Sequence, residues 1–166
     1  SNFLTPTTMN RAKSAIDDAG NTIIVWSMAD PFAADTNGQG VYYRRFDKTG
    51  TALDAGDILV NTSTTGDQQN PDVAMDRDGN FIIVWEGAGD QTGEEDTNGV
   101  FLQAFQADGT PIGGESRANI NTTATAELSP VVTVDYDGPN NATRFMVGWS
   151  QYSASLDYGN YIQRYD

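Results

Sequence analysis

The stretch Asp78–Glu86, "DGNFIIVWE", decides the fold. Successive side chains of a strand alternate between its two faces. Phe81, Ile83 and Trp85 therefore share one face, and Ile82 and Val84 share the other. A strand that is apolar on both faces is covered on both. The Asp78-Gly79-Asn80 run before it closes a tight hairpin. The stretch recurs 59 residues earlier, as "AGNTIIVW" ending at Trp26, and 64 residues later, as "TRFMVGW" ending at Trp149. Other segments keep step with it. "GVYYRRFDKTGT" begins at Gly40, "GVFLQAFQADGT" at Gly99 and "GNYIQRYD" at Gly159. Residues 1–166 thus form one repeat domain with units of about 2–59, 60–118 and 119–166, the last incomplete.

Each unit predicts four strands. In the second unit these are a short first strand at Asp72–Asp76, a second at Phe81–Glu86 and a third at Val100–Phe105. The first unit shows the short outer strand near Ile58–Asn61. Phe101 and Phe105 match Tyr42 and Phe46, and Tyr161 and Tyr165, so all six rings lie on equivalent faces. Ser14–Ala19 has some helical propensity, but its repeat mates are strand-like, and no helix is expected. Four antiparallel strands in a unit of 40–60 residues mark a β-propeller blade. The fold class is all-β and propeller-like, with about three blades; the alternative is a β-sandwich. Closed propellers usually need 4–8 blades. Self-association is therefore expected, as a dimer closing a six-bladed ring or through further repeats of a longer parent chain.

Composition narrows the function. The chain has 166 residues, 23 acidic against 9 basic, and a net charge of −14. That excludes the basic footprint of a nucleic-acid binder and attraction to anionic lipid. There is no Cys and no His, hence no thiol nucleophile, no imidazole base and no Cys/His zinc site. Any metal would be held by oxygen, which points to calcium. No apolar run is long enough for a membrane helix, so no membrane insertion is expected.

"NTSTTGDQQNPDVAMDRDGNFIIVWEG" from Asn61, followed by "GVFLQAFQADGTPIGGE" from Gly99, resembles the long tandem repeat of large secreted, RTX-type bacterial surface proteins. "RRFD" at Arg44–Asp47 and "QRYD" at Gln163–Asp166 match that repeat best, while "QAFQ" at Gln103–Gln106 departs from it. The resemblance covers essentially the whole chain. It implies a non-catalytic extracellular or cell-surface module that presents loops for adhesion or for binding a protein or glycan.

Four sets of residues carry candidate chemistry. Asp76, Asp78 and Asn80 place oxygens at alternate positions around Gly79, as calcium loops begin. Asp17 and Asn21, and Asp135 and Asp137, are their equivalents. The same residues also suit a turn whose side chains hydrogen-bond its own backbone. A second set is acidic: Asp30 and Asp35 in one loop, Asp90, Glu94, Glu95 and Asp96 in the next. The three repeated tryptophans are expected in the core, which leaves Phe32, Tyr152 and Tyr158 as ligand candidates for a lectin-like alternative. A glycosidase or sialidase-like fragment would need paired acids, and none of the five Glu recurs in every unit. No catalytic residue is assigned, and the chain is not expected to be an enzyme.

Overall fold

The computed structural model describes residues 9–29, 38–88, 98–118, 126–136, 143–152 and 158–165. Its elements are strands throughout. The first unit gives β1 (Met9–Ile16), β2 (Thr22–Met28), β3 (Gly40–Phe46) and β4 (Ile58–Leu59). The second gives β5 (Gln68–Met75), β6 (Phe81–Ala88), β7 (Asn98–Phe105) and β8 (Pro111–Arg117). The third gives β9 (Ala126–Tyr136), β10 (Thr143–Tyr152) and β11 (Tyr158–Tyr165). Each unit is one antiparallel sheet in which sequence neighbours pair.

The sheets pack face to face, for the reason the middle strand announces. Phe81, Ile83 and Trp85 of β6, with Phe101 and Phe105 of β7, pack on Ile23, Val25, Val41, Tyr43 and Val60 of the first sheet. From the opposite face Ile82, Val84, Val100 and Leu102 meet Val132, Val134, Phe145, Val147, Trp149 and Tyr165 of the third. Burying each such large side chain contributes about 1.5–3 kcal/mol. The aromatic pattern repeats: Trp85 stacks on Phe101 at 6.3 Å and Trp149 on Tyr161 at 6.1 Å. Phe81 likewise stacks on Phe105 at 4.8 Å, and Phe145 on Tyr165 at 4.6 Å.

β1 packs on β5, and β5 on β9. The first strand of each unit thus lies at a common centre, while β4 and β8 form the outer edges. This radial order is that of a propeller; a sandwich would layer two sheets instead. Tight turns join the strands at one end. Gly79 at φ 89° closes the β5–β6 turn, and a Cβ there would lie 3.1 Å from Ala107. The long connections leave from the other end, after Met28, Ala88 and Tyr152.

Two strand boundaries differ from expectation. β5 starts at Gln68, not Asp72, because a bulge between Gln69 and Asp72 lengthens it. Asn70 at its centre has φ 50°, and Arg11 and Ser129, 59 residues to either side, have φ 40° and 54°. Bulges insert one residue and sharpen the local twist, so all three central strands bend at the same level. The outer strand of the first unit stops at Leu59. Beyond it the Asn61 side chain continues the ladder, its Oδ1 accepting the Val41 N–H at 2.8 Å.

Candidate functional site

The bulged end of the central strands gathers the buried polar groups. Glu86 follows Trp85 and is only 2% exposed. A carboxylate taken out of water needs hydrogen-bond donors. Asn70 supplies one, donating Nδ2–H to Glu86 Oε2 at 2.8 Å. Ser129 in the next blade supplies the other, its backbone N–H donating to Glu86 Oε1. Beside them Gln68 is fully buried, accepts the Trp85 Nε1–H at 3.3 Å and donates to the Thr65 carbonyl at 3.1 Å. Asp72 repeats the pattern: Oδ2 accepts the Val132 N–H at 3.0 Å, and Lys13 Nζ lies 3.5 Å from Oδ1. Acids of the second blade thus take up N–H groups on the central strand of the third. As chemistry this is inter-blade fastening, in which both oxygens of Glu86 already accept bonds.

The sequence reading missed Glu86, Gln68, Asn70 and Ser129 as a cluster. A signal was present in Asn70-Pro71 and Ser129-Pro130. Asn tolerates positive φ, and Pro within a strand marks an edge or a bulge.

The ligand candidates fall at this same end. Tyr152 and Tyr158 are directly opposed, the last pair of the β10–β11 ladder. Phe32 lies outside the described residues, as do Asp30, Asp35, Asp90, Glu94, Glu95 and Asp96.

The calcium candidates lie at the other end, among the tight turns. Asp76 is 4% exposed. Its Oδ1 accepts the backbone N–H groups of Asp78 (3.0 Å) and Asn80 (2.8 Å), and Oδ2 accepts Asn80 Nδ2–H at 2.9 Å. Asp17 does the same for Asn21, at 2.8 and 2.7 Å. Asn80 Oδ1 in turn accepts the Ala107 N–H at 3.2 Å, linking two turns. Asp135 is exposed and pairs in register with Arg144, and Asp137 lies outside the described residues. Among the described residues no three acids converge on a point that could hold a metal ion. The turn reading accounts for every bond that Asp76 and Asp17 make here. The thermal midpoint is accordingly expected to be the same in EDTA and in millimolar calcium. A calcium-dependent rise of several degrees would restore the metal reading.

Asp54 is the other buried acid. Arg45 donates its backbone N–H to Asp54 Oδ2 at 2.7 Å and Nε–H to Oδ1 at 3.1 Å. Its Nη1 reaches the Ala107 carbonyl of the second blade at 2.7 Å. Burial pushes the Asp54 carboxyl up, but the Arg45 hydrogen bonds and charge outweigh it and hold the group below the usual carboxylate range.

No protein-family profile and no curated protein matches the chain. Among solved structures it is similar to the GH43 endo-arabinanase from Bacillus licheniformis, at 24% identity and a TM-score of 0.51. The likeness covers 88% of this chain and 48% of that one, so the chain spans about half the length of the enzyme it matches. That structure is a β-propeller, and the three radial sheets of the present chain have the β-propeller fold.

Proposed function

We propose that the chain is a non-catalytic propeller module of a secreted or cell-surface protein, presenting its long connections for adhesion or ligand binding. One observation carries this. The acids best sheltered for catalysis, Glu86 and Asp72, are held by Asn70, Lys13 and backbone N–H groups across a blade interface. A glycosidase would need two carboxyl groups facing a sugar across about 5–9.5 Å. The rigid blades instead hold the ends of the connections, the arrangement by which scaffolds display binding loops.

A second reading, a carbohydrate-binding propeller, is favoured by the opposed Tyr152 and Tyr158 at the connection end. Aromatic rings provide flat apolar faces with a polar tip. The test is an assay of arabinan and aryl-glycoside turnover alongside a glycan array. No turnover is expected from the wild type. Turnover abolished by Glu86→Gln would overturn the proposal. Glycan binding lost on Tyr152→Ala, without turnover, would select the carbohydrate reading.

A further inference from the structure

Two sheet faces of the chain lack the cover that their repeat mates have. Within the molecule one interface type occurs twice. The face of a blade that carries Ile23 and Val25, or Ile82 and Val84, receives the tryptophan face of the next blade. In the third blade the matching residues are Met146, Gly148 and Ile162, flanked by Val131. Here Val131 is 55% exposed, Met146 41% and Ile162 73%, whereas their second-blade counterparts Ile82 and Leu102 are 3% and 6% exposed. This face is shaped to receive a tryptophan face and receives none. The first blade offers one. Ile24 and Trp26 of β2 are half-buried, and Ile16 of β1, on the same face, is 64% exposed.

The occupant follows from continuity with the two existing interfaces. The third sheet makes its main contacts with the second, so the first blade of the same molecule is not placed to cover it. We infer that the exposed face of the third blade docks the first blade of a second copy of this chain. Two such head-to-tail contacts, related by a two-fold axis, close a ring of two chains and leave no open face. Exposed sheet faces and edges of this kind are what stable β proteins cover.

The test is light scattering coupled to size exclusion on the 166-residue chain, at enough salt to screen the −14 charge. The expected mass is about twice 17.9 kDa. Ile162→Asp and Ile16→Asp lie on opposite faces of the contact, and each alone is expected to give monomers with an unchanged circular-dichroism spectrum. Mixed together they are expected to re-associate, since each retains the face the other lost. A wild-type monomer overturns the inference. So does a dimer that survives Ile162→Asp, or a mixture of the two variants that stays monomeric. A dimer sensitive to Ile162→Asp but not to Ile16→Asp points to back-to-back pairing and overturns it as well.

Discussion

Trp85→Ala is expected to destabilise the chain by about 3–5 kcal/mol, the usual cost of truncating a buried large aromatic. Trp85 is fully buried at the contact of the first and second blades, stacked on Phe101. Domain stabilities are typically about 5–15 kcal/mol, so the loss approaches the whole margin. Urea unfolding followed by circular dichroism measures it. Trp85→Phe separates the contributions, because it keeps a ring but removes the Nε1–H that Gln68 Oε1 accepts. Leaving that buried oxygen without its donor costs about 1–3 kcal/mol. A Trp85→Ala loss below 1 kcal/mol would show that the interface does not form as described.

Arg45→Ala is expected to cost about 3–5 kcal/mol, because removing one partner of a buried pair strands the other charge. The Asp54 side chain is 6% exposed and that of Arg45 is 12% exposed. The change also frees the Ala107 carbonyl, weakening the tie to the second blade. Arg45→Lys is expected to recover only part of the loss, since an ammonium cannot reproduce the guanidinium fork. The pH dependence follows from the direction of the Asp54 shift. Its folded carboxyl titrates below the unfolded value. The stability it contributes is therefore complete above the unfolded pKa, about 3.9, and is lost as pH falls through the lower folded value. Arg45→Ala should flatten that acid limb. If the wild type and the variant lose stability in parallel below pH 4, the pair is not the cause.

The alternation at Phe81–Trp85 and the 59-residue period were legible because both are written in side-chain type at fixed local spacing. They gave the strand order within each unit and the doubly covered middle strand. The three tryptophans show where this stopped. Their sequence contexts are near copies, yet Trp85 is fully buried while Trp26 and Trp149 are only partly so. Which face is covered depends on whether a blade stands beside it, and that belongs to position in the array. The bulges were hidden for another reason. A residue at φ 50° such as Asn70 is a backbone event, and only the following proline hints at it. Glu86 was passed over because one glutamate in one unit has no repeat mate, Ser27 and Ser150 standing in its place.

The fastening between blades always runs to the immediate neighbour in sequence: Arg45 to Ala107, Glu86 to Ser129, Asp72 to Val132. Stability in such an array is approximately the sum of each unit and its nearest contacts. Gene duplication can therefore lengthen the protein by whole units, each new copy adding one more junction. A lesion confined to one junction leaves the far end of the array to stand by itself.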